Sequence, residues 1–496
     1  MEKFILAIDQ GTTSSRAIIF NKQGKKIAFA SREVKCLYPF EGYVEEDPME
    51  IWISVVDVVN EVLIKSGINW NQIVGIGITN QRETTIVWDK KTGNPVYHAI
   101  VWQSRQSSDL CDQLMDKKTF IHERTGLLIN PYFSASKIRF ILDHIKNGQK
   151  RAENGELLFG TIDTWLIYKM TGGKKHLTDV SNASRTLLFN IFKMKWDKQL
   201  LSIFNIPSCM LPKVCESSFD FGIASVFNNK VHILGVNGDQ QASLFGHNCF
   251  KAGQSKNTYG TGCFMLLNIG EKPILSKNGL LTTVAWTLNG KTCYALEGSV
   301  FIGGAAVQWL RDGLKIIKDA ADSETQALKE PNSLGVYIVP AFVGLGTPYW
   351  DDDVRGAMFG ITRATNKSHI IRATLESIAY QSKDVFDIMK EESCINIESL
   401  QVDGGATVNN VLMQFQSDIL QLPVRKPACL ETTALGVAYL AGLKCGFWSC
   451  IDEICKTHEY KATFLPKMSK EEAQIRDRGW KFAVKATIAF KPRKEK

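Results

Sequence analysis

No stretch of the 496 residues is rich in proline or serine, and 44% hydrophobic against 22% charged residues leaves no long segment too polar to bury a core. That excludes a mainly disordered chain. No apolar run approaches the roughly 18 residues of a membrane span, which argues against insertion in a bilayer. At the amino end, Met1-Glu2-Lys3 leads into the apolar residues Phe4 to Ile8 and then Asp9. This run is too short for a signal-peptide core, so the expected location is the cytoplasm. The twelve cysteines include no Cys-x-x-Cys pair. In a chain of this length they read as reduced core thiols and not as a disulfide framework. Cys445, Cys450 and Cys455 are evenly spaced, but neither a second cysteine pair nor clustered histidines complete a tetrahedral zinc site.

Several functional motifs are missing as well. Gly290-Lys291-Thr292 has the ending of a Walker loop, but Ala285 stands where its first glycine is required. Asp220-Phe221-Gly222 stands without a His-Arg-Asp partner, so no complete protein-kinase set is present. The formal charge of +8 is concentrated in the tail Arg476 to Lys496, including Lys491, Arg493, Lys494 and Lys496. Read from its charge, this is a solvated basic terminus, with no nucleic acid partner. A mildly basic surface suits anionic nucleotides.

A chain of this length exceeds what one hydrophobic core usually supports, so two large α/β domains are expected. Phe4 to Ile8 and Arg16 to Phe20 are short β-branched runs around a Gly/Thr/Ser turn and read as a hairpin. Asp47-Pro48-Met49-Glu50 starts a helix that should run to about Ser66 and stop at Gly67. Ile73 to Thr79 is a strand apolar enough to be buried on both faces, and it delivers Asn80-Gln81-Arg82-Glu83 at its carboxyl end. In the second half Asn257 to Leu267 repeats the pattern of a Gly/Thr turn feeding an apolar strand, which places a domain boundary near His247 to Gln254. A third such turn, Asp403-Gly404-Gly405-Ala406, follows the strand ending at Val402.

The turn Asp9 to Arg16 gathers backbone N–H groups, four hydroxyls and a guanidinium, a set of donors suited to phosphate oxygens. A carboxylate beside phosphates is repulsive unless a cation intervenes, so Asp9 implies Mg²⁺. Adjacent Arg82 and Glu83 offer a donor and an acceptor to neighbouring hydroxyls of a polyol, or else form a plain ion pair. Asp239, at the glycine-flanked end of an apolar strand (Val231 to Val236), is either a turn residue or the acceptor of a proton from an attacking alcohol.

Asp9 to Arg16, Ile76 to Trp88, Asn130 to Phe133, Leu157 to Leu166, Gly238 to Phe245, Lys256 to Leu266 and Val402 to Leu420 together resemble the bacterial glycerol kinases. These belong to the carbohydrate-kinase family, which shares its ATPase domain type with actin, hexokinase and the heat-shock chaperones. The resemblance runs from Phe4 to about Trp448. It implies an α/β fold of two ribonuclease H-like domains flanking a cleft, residues 1–247 for glycerol and phosphate and 248–496 for the adenine nucleotide. It further implies ATP-dependent phosphorylation of glycerol. Arg82, Glu83, Tyr132, Asp239 and Gln240 would bond the glycerol hydroxyls, between walls formed by Trp102 and Phe264. Thr12, Thr13, Ser14, Arg16 and Thr261 would surround the phosphates, and Gly304, Gln308, Gly405 and Asn409 would contact the nucleotide. Asp9 would anchor magnesium and Asp239 would act as general base. The family also implies a homodimer or homotetramer. The stretch Ser225 to Lys230 carries neither the arginine nor the histidine through which some members are regulated.

Overall fold

The computed structural model describes residues 1–228 and 230–490. Asn229 and the basic residues Lys491, Arg493, Lys494 and Lys496 lie outside the described residues. Two sheets organise the chain. In the first, β1 (Phe4–Gln10), β2 (Ser14–Phe20) and β3 (Lys26–Glu33) form an antiparallel meander. β4 (Ile73–Asn80) pairs parallel with β1, and β5 (Ser218–Ile223) lies antiparallel at the edge beside β6 (His232–Gly238), itself parallel to β4. The second sheet repeats this arrangement. β7 (Ser255–Tyr259), β8 (Cys263–Gly270), β9 (Leu281–Leu288) and β10 (Lys291–Val300) are antiparallel in the order β7-β8-β10-β9. β11 (Leu400–Asp403) is parallel to β7, β12 (Val424–Pro427) is parallel to β11, and β13 (Tyr460–Phe464) closes the edge. Each sheet therefore brings one tight turn, β1–β2 or β7–β8, to the same end as the carboxyl termini of its parallel strands. In open α/β sheets that end is where ligands gather.

The apolar run at the amino end is continuous because both of its faces are covered. Leu6 and Ile8 pack with Ile51, Val55 and Trp165 on one side, while Ile5 and Ala7 pack with Val437 and Ala438 on the other. Helix α1 (Pro48–Ser66) supplies part of the first layer; Asp47 accepts a bond from Met49 N at its start (2.8 Å) and Gly67, at φ 66°, ends it. Between the two sheets lie α2 (Asp239–Gly246) and, far away in sequence, α6 (Thr432–Lys444). The outer face of the second sheet is covered by α4 (Lys367–Ser393) and α5 (Asn410–Leu420), and α3 (Gly304–Asp312) follows β10.

Two expectations from the sequence change. The basic tail is not simply solvated: α7 (Lys470–Ala489) buries Trp480 completely, stacked on Tyr380 at 5.2 Å with its indole N–H donating to Asp384 Oδ2 (2.7 Å). Its aromatic and alanine positions recur at helical spacing, and that apolar face outweighs the cations on the opposite side. The cysteines are all free, but Cys209, Cys394, Cys445, Cys450 and Cys455 are exposed and do not belong to a core. Small thiols on an ordinary polar surface carry no packing requirement.

The helices α2 and α6 touch backbone to backbone. A Cβ at Gly436 would overlap the Ala242 carbonyl, and one at Gly246 would overlap that of Thr432. Neither obstacle is a flexible side chain, so the helices would have to separate. Gly436→Ala is expected to lower stability by about 1–3 kcal/mol, the scale of an overpacked core. Urea unfolding of the variant beside wild type checks this, and an unchanged midpoint would contradict the close approach.

Candidate active site

The end of β4 turns through Gln81 and Arg82 into Glu83, whose φ of 61° is rare for a residue with a Cβ. That conformation turns the two charged side chains apart. Arg82 Nε stands 3.9 Å from Glu83, while its two terminal nitrogens reach both oxygens of Glu297 on β10, at 2.5 and 2.9 Å. Glu83 instead accepts from Arg185 Nε at 2.6 Å, and Arg185 Nη2 also reaches Glu297 at 3.0 Å. Two guanidiniums and two carboxylates thus form a fully buried network joining the two halves of the chain. Burial opposes the charge on Glu297, yet the guanidiniums of Arg185 and Arg82 hold its carboxyl down to about 2. Burial dominates at Glu83 and raises its pKa.

The remaining nitrogen, Arg82 Nε, meets Asp239 Oδ1 at 3.1 Å. Asp239 opens α2 directly after β6, and its own oxygen also accepts from Gln240 N (2.7 Å). With a side chain 31% exposed, against 2% for Arg82, it is the open member of an otherwise sealed cluster. Trp102 makes edge contacts with Tyr132 (5.5 Å) and Phe264 (6.1 Å), so residues from both halves form an aromatic wall. The Trp102 indole N–H donates to Thr12 Oγ1 at 2.9 Å and ties that wall to the β1–β2 turn.

In that turn Gly11 N donates to Ser14 O (2.9 Å) and Asp9 stands opposite Arg16 across the hairpin. The Asp9 carboxyl is pushed up to about 7 by burial, with Asp239 and Glu431 adding to the rise and the Arg16 guanidinium opposing it. A carboxylate so short of positive charge fits a divalent cation. Among the described residues no group of three or more His, Cys, Asp or Glu side chains could hold a metal alone. A cation at Asp9 would therefore complete its shell with phosphate oxygens and water.

Across the cleft, Thr261, Gly304, Gln308, Gly405 and Asn409 line one cavity of about 340 Å³. Gly303 N and Ala305 N donate to Thr261 O at 2.8 and 3.1 Å, which seats the β7–β8 turn on the start of α3. Asn409 also caps α5 through Leu412 N (2.9 Å) and donates to Ser323 Oγ (3.1 Å). Thr13 is exposed, whereas Thr12, Ser14 and Arg16 are half-buried on the opposite turn. Asn80 and Gln81 face inward, Asn80 bonding Asn182 (3.0 Å) and Gln81 bonding Glu46 (2.8 Å).

Sequence reasoning passed over Arg185, Glu297, Lys256 and Arg311, the last of which lines the same cavity. Glu297 did leave a signal: a lone carboxylate within the apolar run Tyr294 to Val300 has to find a cation when buried. Arg185, before the apolar Leu187 to Phe189, is its counterpart.

The chain matches the N-terminal domain of the FGGY family of carbohydrate kinases over residues 4–246 and the C-terminal domain of that family over residues 255–445. It is 58% identical to the glycerol kinase of Bacillus licheniformis and 56% identical to those of Bacillus subtilis and Thermus thermophilus, in each case over 99% of this chain and all of the relative. A crystal structure of Plasmodium falciparum glycerol kinase with ADP superposes with a TM-score of 0.92 at 36% identity, covering 98% of both chains. A gluconate kinase from Lactobacillus acidophilus, 21% identical, shares the fold at a TM-score of 0.88, over 99% of this chain and 98% of that one.

Glu297, folded near 2 and unfolded near its ordinary 4.5, contributes stability that is present above pH 4.5 and lost as the pH falls toward 2. Glu297→Gln should therefore flatten the acid limb of the stability curve over that window. At neutral pH, removing one partner of a buried pair should cost about 3–5 kcal/mol. Chemical denaturation between pH 2.5 and 7 measures both, and parallel curves for variant and wild type would refute the assignment.

Proposed function

The chain belongs to the FGGY family of carbohydrate kinases, and from that premise we propose that it transfers the γ-phosphoryl group of ATP to glycerol, giving sn-glycerol 3-phosphate. The end-to-end identity of 56–58% with glycerol kinases carries this reading. On it, residues 1–247 bind glycerol and phosphates and residues 248–496 bind the adenine nucleotide.

Asp239 accepts the proton of the attacking hydroxyl, its carboxylate aimed by Arg82 Nε at 3.1 Å. Arg82, Glu83, Tyr132 and Gln240 hold the other hydroxyls, and Trp102 and Phe264 press on the carbon chain, a small pocket suited to three carbons. The hydroxyls and N–H groups of Thr12, Thr13, Ser14 and Thr261, with Arg16, surround the phosphates from two opposed turns. Asp9 would hold the magnesium that accompanies the nucleotide, and the ion would supply positive charge to the phosphates. Gly304, Gln308, Gly405 and Asn409 hold the nucleoside end. Most of the rate then comes from alignment of the two substrates and fixed charges, with proton removal a smaller contribution. Closing the cleft excludes water, the competing acceptor. A cytoplasmic location and assembly as a dimer or tetramer belong to the same reading and rest on the family resemblance.

The purified protein, assayed for ATP consumption with glycerol, dihydroxyacetone, xylulose and gluconate, is expected to prefer glycerol; comparable kcat/KM for xylulose would overturn the substrate while leaving the fold intact. Asp239→Asn keeps the size and the bond to Arg82 but cannot take a proton. Its turnover should fall by on the order of 10²- to 10⁴-fold with a near-normal melting temperature. A folded variant that keeps more than about a tenth of wild-type turnover would remove Asp239 from the chemistry.

A further inference from the structure

Lys256, on β7 of the second sheet, is fully buried, yet among the described residues no carboxylate pairs with its ammonium by direct contact. Nζ donates to Gln240 Oε1 at 2.5 Å and to Thr258 Oγ1 at 2.8 Å. Burial draws its pKa down to about 8, against the attraction of Asp403 and Asp239, so the amine is held at a cost. Such an expense in a core calls for a role.

The role follows from hydrogen-bond chemistry. A lysine has donors only, so the Gln240 atom it meets has to be the carbonyl oxygen. The amide nitrogen is thereby turned the other way, to 3.3 Å from Asp239 Oδ2. We infer that Lys256 is a positioning residue for the proposed glycerol site: by holding Gln240 Oε1 it makes Gln240 present its NH₂ group, and not its carbonyl, beside the Asp239 carboxylate. The inference rests on the function proposed above. A polyol places hydroxyls on neighbouring carbons. One hydroxyl donates its proton toward Asp239, and the next finds a donor in the Gln240 NH₂. With the amide reversed, two acceptors would stand side by side, repelling each other and leaving the second hydroxyl oxygen without a donor. The Asp239 carboxylate favours the same orientation from the other side, so the amide is held at both ends, by Lys256 at 2.5 Å and by the longer bond to Asp239 at 3.3 Å.

Lys256→Met removes the donor while keeping the length of the chain. The KM for glycerol should rise about tenfold, the scale of one hydrogen bond lost from the bound state, while the KM for ATP stays within about twofold. Lys256→Met combined with Gln240→Met should be no worse for glycerol than Gln240→Met alone, because the lysine acts through that amide. A folded Lys256→Met with wild-type KM for glycerol, or a double variant whose losses multiply, overturns the inference. If Lys256→Met does not fold, Gln240→Glu decides. A carboxylate there keeps a partner for Lys256 but has no NH₂ to offer beside Asp239, so the KM for glycerol should rise while the KM for ATP stays within about twofold. An unchanged KM for glycerol overturns the pairing. Should the wild-type enzyme prefer another polyol in the substrate panel, the function fails separately, and the same comparison is made with the polyol it accepts.

Discussion

The bidentate pair between Arg82 and Glu297 is the constraint on which the rest of the site depends. One partner lies two residues past the end of a strand of the first sheet, the other sits within a strand of the second, and both are buried. A planar guanidinium meeting both carboxylate oxygens allows little slip along either sheet. Arg82 has one nitrogen left, and it is spent on Asp239. The carboxylate that faces the cleft is therefore referenced to both halves at once, and movement of the halves that preserves the pair has to pivot about it.

The parts of this arrangement that lie within one segment were readable from the sequence. The two hairpin turns announce themselves because glycine and small hydroxyl residues interrupt β-branched runs, and α1 because Asp47, Pro48 and Gly67 mark its ends. The strand delivering Arg82 was legible from its unbroken apolar character. What escaped were pairings across long separations. Arg82 and Glu297 stand 215 positions apart, and no local pattern says which buried cation meets which buried anion. Adjacent Arg82 and Glu83 were read as a donor and an acceptor for a polyol or else as a plain ion pair, and their shortest ionic contacts are instead to Glu297 and Arg185. Trp480 escaped for a different reason, since the cations around it dominated the reading of the tail.

Charge in this site is decided by which cations stand close to a buried carboxyl, and not by burial alone. Glu297, between two guanidiniums, is held acidic, while Asp9, with a single half-exposed arginine nearby, is pushed toward neutrality. The same kind of side chain is thus completed by protein at one position and left incomplete at another. The incomplete one lies near the end of β1, beside the β1–β2 turn.

Helix α6 carries a consequence for how the molecule comes into being. It belongs to the last quarter of the chain, yet its residues cover strands laid down at the very start: Val437 lies against Gly77 and packs with Ile5 and Ala7. On a ribosome, the inner face of the first sheet stays uncovered until about position 444 has emerged, some 360 residues after that sheet's fourth strand ends at Asn80. At a synthesis rate of about 5–20 residues per second that interval is roughly 20 to 70 seconds. Throughout it an apolar sheet face is exposed to water, and a fragment ending before α6 would keep it so. The nascent first half therefore keeps an apolar face on which other apolar segments can settle, and its completion is timed by the arrival of the other half.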